Sequence, residues 1–290
     1  MLLKLLLSSF LLLGALQLSA KSILYKVTSS TTTVYVLGSI HLAKPELYPL
    51  KQPIEDAYKK SDILVVELDP SSKASLAVIQ KSMQTQGLYT GGKSLKSELD
   101  HKTYIMLKKY LLKVGLSLDM MEPMRPWTVV VQLSMMEMMR LGYDPQLGID
   151  RHFLQMAKRD HKKILELETA QEQMALLSKD DKQFQDLLLR YSLEEMDEMR
   201  PLLDTMFESW KRGDAETLAG VVSSSLVADA RLDGIFDAMI TKRNYAMSKK
   251  IEGYLKEDKT YFVVVGAGHV VGEEGIVTLL LKRGYHVIQK

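Results

Sequence analysis

The chain has 290 residues, with 38 basic, 36 acidic and 6 histidine side chains and no cysteine. That balance leaves no electrostatic footprint for nucleic acid or for an anionic membrane surface. The absence of cysteine excludes disulfides, thiolate catalysis, Cys-ligated metal and lipid attachment at an N-terminal cysteine, so a packed core must carry stability. The length allows one large domain or two small ones.

Residues 1–20 have the pattern of a secretory signal peptide. Lys4 supplies the positive start, 5–13 is apolar, and Ser19-Ala20 offers small residues before a cut at Lys21. Leu18 is a poorer match to the cleavage pattern than Ala. The uncharged run between Lys4 and Lys21 falls short of the ~20 residues of a membrane span. The expectation is therefore an exported domain over 21–290, periplasmic or secreted. Membrane association would come only through an uncleaved signal.

Residues 23–28 and 33–37 form alternating, β-branched runs joined by Ser29-Ser30-Thr31-Thr32, which predicts a hairpin. A short helix is predicted over 53–61, with Pro53 in its first turn. A buried-type strand follows over 62–68. Strand, helix and strand in that order predict a βαβ unit with a parallel pair. From 71 to 159 the pattern is mostly helical, interrupted by glycine and proline. Residues 127–139 are unusually apolar and rich in methionine. Such a face suits a varied partner or a membrane, but the run is below spanning length and predicts a buried core helix. A helix over 150–159 leads to a third core strand over 163–167, and helix resumes over 169–178. Helices over 181–255 break near Gly213 and Gly220. The chain closes with a strand over 261–265, a helix over 274–283 stopped by Gly284, and a strand over 286–289. The fold class expected is α/β, with a central mixed, mainly parallel sheet built from both chain ends. A large helical insertion, about 71–160 and 180–258, forms a cap.

The words Gly38-Ser39-Ile40-His41 and Gly266-Ala267-Gly268-His269 each follow a strand. Each puts a histidine at a strand's C-terminal edge, where open α/β sheets hold their ligands. Two further strands end in carboxylates: Glu67 on one, Glu166 and Glu168 on the other. Parallel neighbours would gather these groups into one cluster. Imidazole and carboxylate together suit divalent Zn, Mn, Co or Fe. A bound ion lowers the pKa of its water to ~7 in favourable sites, and a spare carboxylate takes the proton. Gly38, Gly266 and Gly268 allow close approach of backbone to ligand. Gly-x-x-His is a weak word alone, and either histidine could be structural. His101, His152, His161 and His286 lie in lysine-rich, helical or terminal-strand surroundings and are expected to be surface or packing residues. The run from Lys158 to Lys163 reads as a solvated helix end. Tyr89-Thr90-Gly91-Gly92-Lys93-Ser94 lacks the spacer and preceding strand of a phosphate loop.

These words occur with others in a familiar order. Leu37 to His41, the strand carrying Glu67, Pro126-Trp127, Leu147-Gly148-Ile149-Asp150, Leu167-Glu168-Thr169 with Gln173, Arg243-Asn244 and Val265 to Gly272 follow one another. Over nearly the whole mature chain this resembles the TraB/GumN family, related to the Tiki proteases and more distantly to erythromycin-esterase and ChaN-type proteins. The resemblance implies an erythromycin-esterase/ChaN-like fold. It also implies a site of two Gly-x-x-His motifs, a glutamate and an arginine, here His41, His269, Glu67 and Arg243. Tiki relatives are metalloproteases using manganese or cobalt, and others block a peptide pheromone. The C-terminal membrane segments of TraB-type members are not expected here.

The resulting expectation is an exported metal-dependent hydrolase acting on a peptide or protein substrate. His41, His269 and Glu67 would hold a divalent metal (Mn, Co or Zn). Glu67 or Glu168 would act as general base, and Arg243 would stabilise the oxyanion or hold a substrate carboxylate. Ser39, Asn244 and Gly268 would contact substrate. Two alternatives stand beside it: a non-catalytic peptide- or cofactor-binding protein of the cell envelope, and a metal-free esterase using a histidine as base. The oligomeric state is open.

Overall fold

In a computed structural model, residues 21–227, 234 and 237–290 are described. The expected signal peptide, 1–20, lies outside them. Among the described residues, no helix is long and apolar enough to cross a membrane.

A six-stranded mixed sheet organises the chain, in the order β4-β3-β5-β2-β1-β6. The strands are β1 (Leu24–Thr28), β2 (Thr33–Ser39), β3 (Ile63–Val66), β4 (Lys163–Glu166), β5 (Tyr261–Gly266) and β6 (His286–Gln289). β1 and β2 form the predicted hairpin, with Thr28 opposite Thr33. β6 runs antiparallel to β1. The four strands β4, β3, β5 and β2 are mutually parallel. All residues of β3 and β5 are buried, as expected for parallel strands covered on both faces.

The expected parallel pair of β2 and β3 is corrected in one respect. The strands are parallel, but β5 lies between them, with Val36 opposite Val263 and Val263 opposite Val65. The strand at 163 is not a core strand. β4 is the sheet edge, and Lys163 and Glu166 are exposed.

Helices cover the sheet and continue beyond it. They are α1 (Gln52–Lys60), α2 (Lys73–Gln86), α3 (Leu95–Glu98), α4 (His101–Val114), α5 (Pro126–Arg140), α6 (Ile149–Arg159) and α7 (Ala170–Leu177). Then come α8 (Lys182–Glu195), α9 (Met199–Arg212), α10 (Ala215–Val227), α11 (Lys242–Tyr254), α12 (Ala267–Val270) and α13 (Ile276–Lys282). Gly213 ends α9 in a left-handed conformation, but Gly220 lies inside α10 and breaks nothing.

Two apolar cores result. The main one joins the sheet to α1, α6, α9 and α11 through Ile54, Tyr58, Phe153, Trp210, Met247 and Ile251. The second gathers α4, α5 and α8 around Leu107, Leu111, Val129, Leu133 and Leu189. The helical stretch is thus divided between a layer on the sheet and a body of its own. α5 is the Met-rich helix. It buries Trp127, Val129 and Leu133 but leaves Val131, Met136 and Met139 exposed, so it is only half a core helix.

Candidate functional site

The parallel strands deliver their chemistry at their C-terminal ends. β2 runs into Ile40-His41. The start of α6 clamps this strand end: Ile149 donates its N–H to the Ile40 carbonyl at 3.0 Å. Gly148 makes the approach possible, since a Cβ there would run into the His41 carbonyl. The His41 Nδ1 lies 2.9 Å from Asp150 Oδ1, which also accepts from Ser39 Oγ at 3.1 Å. The ring keeps an open face, with 57% of the side chain exposed. Desolvation disfavours its charge, but the hydrogen bond and charge of Asp150, helped by Glu67, lift its pKa to about 9. Burial works against ionisation of Asp150. The His41 and Ser39 hydrogen bonds outweigh it and hold the carboxyl below its ordinary range.

His269 sits on the short α12 after β5 and is buried. Its Nδ1 lies 2.6 Å from Asn244 Oδ1 on α11. The Asn244 amide is oriented by its Nδ2, which donates to the Glu274 carbonyl at 2.8 Å. Its oxygen therefore faces the ring, and Nδ1 must carry the proton. Nε2 keeps its lone pair, 3.9 Å from Glu67 Oε1. Burial, helped by Arg243 and against Glu67, pushes the His269 pKa down to about 4. The ring is a neutral imidazole with a free Nε2, the form that ligates metals or accepts a proton.

Glu67 follows β3. Its Oε1 accepts the Gly266 N–H at 2.5 Å, and its Oε2 accepts from Arg243 Nη2 at 3.0 Å. Glu168, just beyond β4, takes the same guanidinium in a forked pair, from Nε at 2.8 Å and Nη2 at 2.6 Å. Gln173 Nε2 adds a third bond to Glu168, at 3.0 Å. Burial opposes the Glu168 charge, but Arg243 and Gln173 hold its pKa below the usual carboxylate range. Arg243 also gives Nη1 to the Met239 carbonyl at 2.9 Å, across the π-helical turn Asp237–Thr241 that leads into α11. Among the described residues, these bonds engage four of the five guanidinium N–H groups.

One point gathers the groups. A Cβ built on Gly266 would lie 3.3 Å from Glu67 Oε1, 3.3 Å from His41 Nε2 and 3.7 Å from His269 Cδ2. The missing side chain leaves a cradle between two imidazoles and a carboxylate. Beside it is a cavity of about 170 Å³ lined by Ser39, His41, Glu67, Asp150 and Gln173, among others. A larger cavity, about 1020 Å³, lies between α3, α7 and α8 and reaches Met239. Its charges are engaged with one another, as in Arg190 with Asp186 and Lys182 with Glu98. The strand-end groups His41 and Glu67 line the smaller one.

The donor types around Gly266 fit a borderline divalent ion. As placed, however, no group of three His, Cys, Asp or Glu among the described residues could hold one. Arg243 supplies the positive charge between Glu67 and Glu168.

The structure therefore brings His41, Glu67, Glu168, Arg243 and His269 together. It separates the two neighbouring glutamates: Glu166 Oε1 accepts the Asp69 N–H on the sheet edge, away from the cradle. Of the three residues expected to touch substrate, Ser39 lines the small cavity, and Asn244 and Gly268 are not among its lining residues. Ser39 is buried against Asp150, Asn244 stands behind His269, and a Cβ on Gly268 would face Val222 of α10 at 3.4 Å. Asp150 and Gln173 are the site residues to which no role was assigned from sequence. The only signal for Asp150 was its place in the word Leu-Gly-Ile-Asp.

An open α/β sheet with two imidazoles, two carboxylates and a guanidinium at the carboxyl ends of its parallel strands defines a protein with a polar strand-end site. The chain belongs to the TraB/PrgY/gumN family, whose model matches residues 23–289. It is 26% identical over 251 residues to the uncharacterised protein YbaP of Escherichia coli K12, covering 85% of this chain and 87% of that one. It is 21% identical over 300 residues to metalloprotease TIKI1 of Danio rerio, covering 87% of this chain and 60% of that one. A protein of Treponema pallidum is 22% identical over 271 residues, 89% of this chain and 80% of its own. No solved structure matches.

Proposed function

We propose that the cradle at Gly266 is a hydrolytic site and that the chain is an exported hydrolase acting on peptide bonds with a divalent metal. The observation that carries this reading is the meeting of His41 Nε2, Glu67 Oε1 and His269 around one point. Relatives named metalloproteases, matched at 21% identity, point to the reaction class. Export rests on the pattern of residues 1–20.

His41, His269 and Glu67 would hold the ion, with Mn, Co and Zn all compatible with these donors. When bound, the ion would supply Lewis acidity and a water ionisable near neutral pH. The chain's own groups divide the remaining work. Asn244 keeps the His269 Nε2 lone pair turned inward. The Gly266 N–H and Arg243 fix the Glu67 carboxylate, which would serve as the carboxylate ligand in this reading. Glu168 is committed to Arg243 and Gln173, so it balances charge and positions the guanidinium. Arg243 would meet a developing oxyanion or a substrate carboxylate.

The position of Arg243 favours one second reading, a metal-free hydrolase. The guanidinium already pairs with both glutamates, and neutral His269 is competent to take a proton from water. Chain purified under mild conditions and offered a peptide library with manganese, with and without chelator, separates the readings. The metal reading expects turnover that chelation abolishes. It also expects bound metal that is lost in a His41→Ala/His269→Ala double variant. Equal trace metal in both forms refutes the site. Activity that survives chelation selects the His269 mechanism. Peptide binding without turnover selects a binding protein of the cell envelope.

A further inference from the structure

We infer that Asp150 is a positioning residue for the cavity: it fixes the His41 ring with Nδ1 outward and Nε2 turned to the Gly266 point, and Ser39 fixes Asp150. The inference rests on the reading above only in taking His41 to work in the cavity.

The geometry is that of one locked unit. Asp150 Oδ1 receives both His41 Nδ1, at 2.9 Å, and Ser39 Oγ, at 3.1 Å. Ser39 lies two residues before His41, so the strand end grips the carboxylate twice. The helix carrying Asp150 is held to the same strand end by the Ile149 N–H to Ile40 carbonyl bond. Gly148 packs against the His41 carbonyl in the same clamp. An ionised carboxylate only accepts, so the proton facing it belongs to Nδ1. Nε2 is then the atom presented beside Glu67 Oε1. His269 is held in the same polarity by Asn244, a neutral amide. His41 thus faces the point with Nε2 and is backed by a charge, while His269 meets it with Cδ2, holds Nε2 3.9 Å from Glu67 Oε1 and is backed by a dipole. Partners behind a working histidine set its tautomer and basicity.

The rival is a structural role, in which Asp150 serves only the first turn of α6, where an acidic residue favours the helix dipole. The test is nitrogen NMR of the full chain, without metal or substrate, above the ring pKa of about 9. Wild type and Asp150→Asn should both hold the His41 proton on Nδ1, because the amide oxygen still accepts it. Asp150→Leu should move the proton toward Nε2. Calorimetric titration with manganese alone gives a second readout. Asp150→Leu should lose about 10- to 100-fold in affinity, the usual effect of removing such a partner. Asp150→Asn should stay within a few-fold. A Leu variant that melts lower yet keeps both the ring proton and the manganese affinity overturns the inference. If manganese binds no form of the chain, the metal reading falls and the ring proton still decides this one. If Asp150→Leu does not fold, Ser39→Ala replaces it. That variant frees one side of Asp150 and should give His41 mixed tautomers, and an unchanged ring overturns the inference.

Discussion

Gly266→Ala separates function from fold more cleanly than any substitution of a site side chain. The backbone there has φ −51° and ψ 138°, which alanine adopts without strain. Loss of unfolded-chain freedom should stabilise the variant by about 0.4–1 kcal/mol. Against this, the methyl would stand 3.3 Å from both Glu67 Oε1 and His41 Nε2, so each must yield by a few tenths of an ångström. The two effects nearly cancel. At roughly 2–4 °C per kcal/mol for a chain of this size, the melting temperature should stay within about 4 °C of wild type. The Gly266 N–H to Glu67 survives, because alanine keeps it. The cradle does not survive, because the methyl fills it. Displacement of two working groups at the reacting point should lower turnover, or manganese affinity, by about 100-fold or more. Thermal melts paired with manganese calorimetry and the peptide-library assay read both quantities. A Gly266→Ala chain with wild-type stability and wild-type binding and turnover would refute the placement of the site.

Three other outcomes follow from the same geometry. Arg243→Met strips the partner from two nearly buried carboxylates and should cost about 3–5 kcal/mol in urea melts at neutral pH. The loss should shrink in acid, where Glu168, with its depressed pKa, gives up its stabilisation in wild type too. Asn244→Leu should cost about 1–3 kcal/mol by the same measurement, because it leaves the buried His269 Nδ1–H without an acceptor. The two histidines should have opposite signs in melts against pH. The raised pKa of His41 makes its contribution complete below 6.5 and lost as pH climbs through about 9. The deficit of His41→Gln should therefore narrow over that window. The lowered pKa of His269 makes the ring a liability as pH falls from 6.5 to about 4. His269→Gln should gain on wild type there, and parallel curves would contradict the assigned charge states.

Strand ends were the most legible part of the site. A β-branched run, then glycine, then histidine gives a direction and an end point, and both histidines lie where that rule puts them. Pairing was not legible. Periodicity names a strand but not its neighbours, so the insertion of β5 between β2 and β3 had no local signal. Nor did the edge position of β4, whose Lys-Ile-Leu-Glu would suit a centre equally. Of Glu166 and Glu168, alternation puts both on one face of an extended strand. The chain leaves the strand after Glu166, and only the later residue reaches Arg243. Partners behind the site were the least visible. Asp150 is a first-turn helix residue and Asn244 a mid-helix amide, and such residues have many ordinary uses. Their roles come from a crossing of distant segments that no sequence window contains.

The place of β5 also constrains how the chain comes to be folded. It pairs with β2 and β3 on its two sides, with Tyr261 meeting Val34 and Ile63. Contacts spanning nearly the whole chain close slowly, because loop entropy is spent before pairing returns it. During synthesis, β1, β2 and β3 emerge early yet have no finished sheet to join. Both inner edges stay open until some two hundred residues later, when the strand that carries Gly266 arrives. The last large piece to enter is also the one that presents His269 and the cradle, so assembly of the sheet and assembly of the site are a single event.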